Sequence, residues 1–352
     1  MKKNCILAVC GLLAVAACQE LPATDASDGG TLRISVKSDA GVSSKALTDP
    51  IGNDAAIHDT QLFLFASDGS LYRCEMLDEN ELSHTLTKVK AGSYQVVAVV
   101  NAPALSTVQS KDELEQTSID LGLNDPERGF VMYGEAAETV TVEAGATTEA
   151  RAEITVFRHV GRIRLGTVKN NLPPAYGDLS VEYAFLENGL GVWDYGGTGS
   201  PEVYVNYAGR LQGRNGSSAP TDFITSATDA DYAALTFHSL TRIVENGTTE
   251  SFGVPFYTFP NNVLSDDDHF GATDGAACVR LVLKAVYGED DSQSWYYPVT
   301  IPNVERNKSY DVSFVIGGPG TDDPNGKVDN SNLRVVITVE PWEDGGDFIG
   351  EF

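Results

Sequence analysis

At 352 residues the chain is long enough for two domains of ordinary size. Fifty acidic against 24 basic side chains give a formal charge of −26, which excludes nucleic acid as a partner because phosphate binding needs the opposite sign. The 34 glycines and 15 prolines are scattered without a fixed period, which excludes collagen-like and low-complexity architectures and suits many short strands joined by turns.

Lys2 and Lys3 precede an apolar run from Ile6 to Ala17. That is the anatomy of a secretory signal, and it is too short for a bilayer span of about 20 apolar residues. The run ends Val15-Ala16-Ala17-Cys18, small residues before a cysteine that resemble the lipobox of bacterial lipoproteins. The expectation is a signal peptide over 1–17 and acylation, including palmitate, on Cys18. The rival is an ordinary signal cut nearby, with Cys18 incidental. Cys74 and Cys278 are then left far apart, too few for a disulfide framework or a zinc site, and read as small buried side chains.

Leu32, Ile34 and Val36 alternate with Arg33, Ser35 and Lys37, the period of a half-buried strand. Ser38, Asp39, Gly41, Ser43 and Ser44 follow, a loop composition with Lys45 before Ala46. Two readings stay open: a permanent strand with an exposed loop, or a strand held only until a protease cuts beside it. Residues 61–66 and "SLYRCEML" flank Asp68-Gly69 as a hairpin. "GSYQVVAVVNAP" is a buried strand, and 112–123 holds a helical turn. "ETVTVEAG" and "TTEARAEITVFRHV" read as a second hairpin about Ala144-Gly145. Residues 187–230 have weak periodicity and read as long loops of a second domain, with Trp193, Tyr195, Tyr204 and Tyr207 as aromatic faces for a glycan, or as packing aromatics. Strands return at 279–288, 294–302, 308–318 and 332–343. Many strands with few helix signals predict an all-β sandwich fold, its division falling near His159–Gly161.

Chemistry is sparse. The histidines at 58, 84, 159, 238 and 269 match no metalloprotease spacing, and no nucleophile elbow, phosphate loop or dinucleotide fingerprint occurs. The acidic stretch Ser265 to Phe270 reads as a solvated loop, since no glycine or distal glutamate completes a calcium loop. The chain is therefore read as a non-enzyme with no catalytic residue, no metal and no cofactor.

Several stretches carry one likeness: "FYTFPNN" (256–262), "WYYPVTIPNVERNKSYDVSFVIGGPGTDDP" (295–324), "LRVVITVEPWEDG" (333–345) and, earlier, 130–165. In their order and spacing they resemble the fimbrillins of Bacteroidetes, subunits of type V pili. The resemblance implies two Greek-key, transthyretin-like β-sandwich domains, expected at 46–159 and 160–352, behind a lipidated segment at 18–45. It implies an outer-membrane lipoprotein precursor whose first strand plugs a groove through Leu32, Ile34 and Val36. A trypsin-like surface protease removes that strand, here by cutting between Lys45 and Ala46. A C-terminal segment of another subunit then fills the groove, with Val335, Ile337, Val339, Phe348 and Phe352 as candidate donor residues. Implied partners are other fimbrial subunits, the protease, the outer membrane through lipid, and a host glycan or protein. Family members often carry arginine before the cut, where this chain has Lys45, which weighs toward an anchor or tip subunit of the same fold.

Overall fold

The computed structural model describes residues 29–39, 55–79, 81–126, 129–197, 203–206, 210–213, 234–261, 278–288, 294–322, 324 and 326–342, with 203–206 and 210–213 as backbone alone. The expected hairpin about Asp68 forms between β2 (Thr60–Ala66) and β3 (Leu71–Met76), following β1 (Gly29–Ser38). Asp68 accepts the backbone N–H of Ser70 at 3.0 Å, and Gly69 takes the left-handed φ of 83° that the turn requires. Next come β4 (Ser83–Lys90), β5 (Gly92–Val100), helix α1 (Lys111–Gln116), β6 (Ser118–Asp120), β7 (Met132–Glu135), β8 (Val140–Val142) and β9 (Ala150–Arg158). The helix starts at Ser110, whose hydroxyl accepts the N–H of Glu113 at 3.2 Å, while the Glu113 carboxylate accepts the N–H of Gln109 at 2.7 Å. Two otherwise orphaned donors are satisfied.

Except for β6, these strands form one eight-stranded sheet of order β3-β2-β5-β7-β9-β1-β4, with β8 added to β5. The sheet folds over itself, because Leu32, Ile34, Val36, Leu86 and Ile154 from one half share a core with Leu62, Leu64, Val96 and Ala98 from the other. The alternate residues Phe63, Phe65, Val97 and Val99 point the opposite way, into a second core. Burial on both faces is why "LFLF" and "VVAVV" run apolar without alternation.

The expected hairpin about Ala144-Gly145 does not form. β8 pairs with β5 (Tyr94 opposite Val140), and β9 has β7 on one side and β1 on the other. β9 is paired with β1 along Ala150–Val156 and with β7 at Phe157–Arg158, and the turn at Gly145, with φ of 64°, carries the chain across rather than back.

Only His159 and Val160 separate β9 from β10 (Gly161–Asn170). The chain continues through β11 (Leu179–Glu187), β12 (Gly189–Leu190), β13 (Val192–Asp194), β14 (Val203–Asn206), β15 (Arg210–Gly213), β16 (Phe237–Val244), β17 (Thr249–Thr258), β18 (Val279–Tyr287), β19 (Trp295–Ile301), β20 (Lys308–Ile316) and β21 (Leu333–Pro341). Two four-stranded sheets, β17-β10-β20-β21 and β16-β11-β18-β19, face each other across a core of Ile163, Leu165, Leu281, Leu283, Val312 and Phe314 among others. Every second residue of β18 points into it. The fold is all-β sandwich, as the periodicity predicts.

The expectation of long loops over 187–230 needs correcting. The described part of that stretch holds β12 to β15, and β13 pairs with β6 of the first sandwich, Trp193 opposite Ile119. Strands this short carry no period-2 signal, and their pairing partners lie far away in sequence.

Candidate functional site

Two features stand out as functional geometry: the slot occupied by β1, and the junction between the sandwiches where the end of β1 and the end of the described chain converge.

β1 is an interior strand. It runs antiparallel to β4, with Leu32 opposite Leu86 and Ile34 opposite His84. On its other edge it runs parallel to β9, with Leu32 opposite Ala150, Ile34 opposite Ala152 and Val36 opposite Ile154. Leu32 and Ile34 are fully buried and Val36 nearly so. Burying three such side chains is worth about 5–9 kcal/mol gross. The strand enters through Gly29 and Gly30, where a side chain has no room: a Cβ at Gly30 would lie 2.5 Å from Val142 Cγ1 and 2.7 Å from the Glu143 carbonyl oxygen. Arg33 faces outward and donates to Ser83 Oγ at 3.3 Å. Without β1, β9 and β4 would each present an unpaired edge over an apolar floor.

β21 is a strand of another kind. Among the described residues it lies at the edge of its sheet, paired to β20 alone through an unbroken antiparallel register from Ile316–Leu333 to Lys308–Pro341. Val335 and Ile337 are half-buried against the core, as their shared face predicts. Val339, expected on that face, is 52% exposed, because the core that takes up Leu333, Val335 and Ile337 does not extend to it. Other edges are interrupted: β17 carries Pro255, β19 carries Pro298, and β16 has Thr241 at φ 47° beside a register shift. Prolines and bulges blunt edge pairing. β21 has neither within its length before Pro341, and it exposes Val336 as well as Val339.

The junction is built on Trp342, the residue after β21. Its indole is buried, edge-on to Phe130 at 5.1 Å and stacked near Tyr257 at 5.6 Å. The guanidinium carbons of Arg158 and Arg162 lie 4.6 and 4.8 Å from its ring centroid. Arg158 Nη1 donates to the Trp342 carbonyl at 3.3 Å and to Asn307 Oδ1 at 3.0 Å. Asn307 Nδ2 donates in turn to Asp39 Oδ2 at 3.0 Å, just past β1.

Beside it lies a titratable cluster. His159 is fully buried against the Tyr133 and Tyr195 rings, at 5.9 and 5.7 Å, and neither ring nitrogen has a hydrogen-bond partner among the described residues. Burial, helped by the charge of Arg306, pulls its pKa down to about 3. Tyr133 donates to Glu135 Oε1 at 2.5 Å, and burial followed by that carboxylate pushes its phenol far up. Lys111 bridges Glu115 at 2.5 Å and Glu135 at 3.1 Å. Burial lowers its pKa, but the hydrogen bonds to those carboxylates prevail and raise it. Burial pushes Tyr195 up to about 12.

The expected site residues are thus distributed as follows. Leu32, Ile34 and Val36 line the slot together, and Val335 and Ile337 lie on β21 of the other sandwich. Cys18, Lys45, Ala46, Phe348, Phe352, Tyr207 and the acidic stretch 265–270 lie outside the described residues. Tyr195, considered as a glycan-facing aromatic, is buried at the junction, and Trp193 is half-buried there. Cys278 is buried and Cys74 half-buried. Among the described residues no group of three or more His, Cys, Asp or Glu could hold a metal ion. Asn307, Arg158 and Asp39 were not singled out by sequence, and only the position of Asn307 directly before a strongly alternating strand hints at a turn residue.

The family profile described as fimbrillin-A associated anchor proteins Mfa1 and Mfa2 matches residues 24–344. No curated protein sequence matches the chain. Among solved structures, a candidate cell adhesion protein from Bacteroides eggerthii is similar with a TM-score of 0.63 at 20% identity, over 92% of this chain and 98% of that one. A fimbrilin (FimA) from Porphyromonas gingivalis superimposes with a TM-score of 0.60 at 17% identity, over 91% and 99%. The tip fimbrial protein Mfa3 of Porphyromonas gingivalis, truncated at its C-terminus, gives 0.53 at 13% identity, over 89% and 99%. These likenesses show a shared fold. With the profile spanning nearly all of the described chain, the protein belongs to the family of fimbrillin-A associated anchor proteins Mfa1 and Mfa2, and is a fimbrial or fimbria-associated protein.

Proposed function

We propose that the chain is a structural subunit of a cell-surface fimbria whose first strand is a removable plug. It is exported as a lipoprotein on Cys18 and cut after Lys45, so that 18–45 leaves and a neighbouring subunit supplies the replacement strand. The working domains are then 46–159 and 160–352. One observation carries this reading: β1, the first strand of the described chain, is lodged between two partners, with Leu32, Ile34 and Val36 buried in the core. Its loss leaves two ladder edges and three apolar pockets, the recognition surface that strand addition uses. β21 and the segment 343–352 are the donor candidates. The protein is non-enzymatic in this role, and adhesion follows from polymer display.

N-terminal sequencing of the surface-assembled form is the direct test. The expected first residue is Ala46, and limited trypsin digestion of the precursor should release the same end and start slow formation of SDS-resistant ladders. Lys45→Gln should hold the protein monomeric and lipid-anchored. Cys18→Ser should leave it unable to reach the surface, and deletion of 343–352 should block polymerisation while the monomer stays folded. Polymers that still begin at Cys18, with the first strand intact, would overturn the strand-replacement account.

A second reading is an anchor or tip adhesin of the same fold that keeps its first strand and binds a host glycan or protein. The family description, anchor proteins, and Lys45 in place of arginine favour it. Glycan retention by an unprocessed monomer would support it.

A further inference from the structure

We infer that Asn307 is a latch through which the exit of the first strand controls the grip on the last. The inference deepens the plug reading, since it matters for assembly only where the first strand leaves. The coupling itself is a property of the uncleaved protein.

Asn307 sits directly before β20 in the left-handed region, at φ 55°, and all four of its polar groups are engaged. Its backbone N–H donates to the Val160 carbonyl at 2.9 Å, and its carbonyl accepts the Trp342 N–H at 3.0 Å. Its side-chain oxygen accepts from Arg158 at 3.0 Å, and its side-chain NH₂ donates to Asp39 at 3.0 Å. The last two contacts fix the amide without ambiguity: a guanidinium only donates and an ionised carboxylate only accepts. One residue therefore touches the end of β1, the end of β9 and the end of β21.

Asp39 is held from its own side by its backbone N–H, which bonds the Val156 carbonyl of β9 at 2.9 Å. When the first strand is in place, its carboxylate orients the Asn307 amide. The amide oxygen then orients Arg158, which closes over the indole and carbonyl of Trp342. When the strand leaves, Asp39 leaves with it, and the amide loses the charged acceptor that set its orientation. The hold on Trp342 then relaxes, at the end of a strand that, among the described residues, has β20 as its one partner and an open outer edge. A subunit that has given up its first strand is thereby the one whose last strand is freed. An intact precursor keeps its C-terminal strand docked and does not offer it to a neighbour.

The test uses the full-length, uncleaved chain, so it is independent of any protease. Hydrogen exchange is followed in peptides covering 333–342, 32–36 and 279–287, in wild type, Asp39→Ala, Asp39→Asn and Asn307→Gly. Glycine keeps the left-handed backbone and the main-chain bonds of Asn307 while removing the amide. Exchange in 333–342 should accelerate about tenfold in Asp39→Ala and Asn307→Gly, the loss expected for one charge-assisted hydrogen bond. Rates in 32–36 and 279–287 should stay at wild-type values, and Asp39→Asn, which can still accept, should recover part of the protection. Unchanged exchange in 333–342, or an acceleration shared equally by 279–287, would overturn the latch. Polymers beginning at Cys18 would instead overturn the plug reading and leave the exchange result standing.

Discussion

β1 and β21, the first and last strands of the described chain, are built from the same kind of sequence and stand in opposite situations. Each alternates apolar and polar side chains over about nine residues, the ordinary length and pattern of a strand. β1 has a partner on both edges and contributes fully buried side chains to the first core. β21 has one partner, half-buried side chains on its inner face and exposed valines elsewhere. Alternation shows that one face of a strand is apolar, but it does not show whether the strand is interior or peripheral. That depends on which ladder edges the rest of the chain has already filled.

The sharpest way to break the contrast is to put a charge on each strand. Ile34→Asp places an unpaired carboxylate between β9 and β4 and should cost about 4–5 kcal/mol, enough to unfold or unplug the first sandwich. Val336→Asp, on an exposed edge position, should stay within about 0.5 kcal/mol. Chemical denaturation of both variants checks the pair, and equal losses would show that the two strands are equally embedded.

Truncation gives a smaller difference in the same direction. Leu32→Ala removes a fully buried side chain and should cost about 3 kcal/mol, whereas Val335→Ala should cost about 1 kcal/mol. A loss at Val335 as large as at Leu32 would mean that β21 is more deeply seated than its half-buried side chains indicate.

Acid should act at the junction that the two strands share. His159 is neutral when folded, its pKa pulled from 6.5 down to about 3 by burial and then by Arg306. Between those values the unfolded chain binds more protons, so stability falls as pH drops from 6.5 towards 3 and is unaffected by this group above 6.5. The loss at pH 5 should be about 2 kcal/mol. Urea unfolding at pH 7 and 5 measures it, and His159→Phe should flatten the slope. An unchanged slope in that variant would assign the acid sensitivity to the carboxylates.

The smallest expected effect lies on the exposed flank of the slot. Arg151, opposite Arg33 on the neighbouring strand, is 73% exposed and pairs with Glu149 at 3.1 Å. Arg151→Ala should change stability by less than about 0.5 kcal/mol, since exposed pairs are screened and cost side-chain entropy. A larger change, seen in the same denaturation series, would mean that charge as well as packing holds the slot closed.

The all-β class, the Asp68 hairpin, β5, β9 and the strands from β18 onward were legible because each carries its own periodicity or turn residues. The pairing of β8 with β5 was not. Gly145 supplies a turn whatever follows it, and the partners that β8 and β9 take instead, β5 and β1, lie far away in sequence. Trp193 and Tyr195 stayed open between glycan-facing and packing aromatics for a related reason: sequence shows an aromatic, and burial comes from β6 and the second core. Of the candidate site, Leu32, Ile34 and Val36 announced themselves by alternation. The contacts of Asn307 did not, since Asp39, Arg158 and Trp342 meet there from distant parts of the chain.

The parallel pairing of β1 with β9 also has a consequence in time. Leu32 finds its place opposite Ala150, about a third of the chain further on, while β2 and β3 meet across a tight turn. Long loops close more slowly than short ones, and parallel ladders have no local nucleus. The first strand to emerge during synthesis is therefore among the last to be seated, and the rest of its sheet waits with a vacant lane. During that interval a strand from the same chain and a strand from another molecule compete for one place. Being covalently linked gives the chain's own strand an effective concentration that a strand from a separate molecule has to exceed.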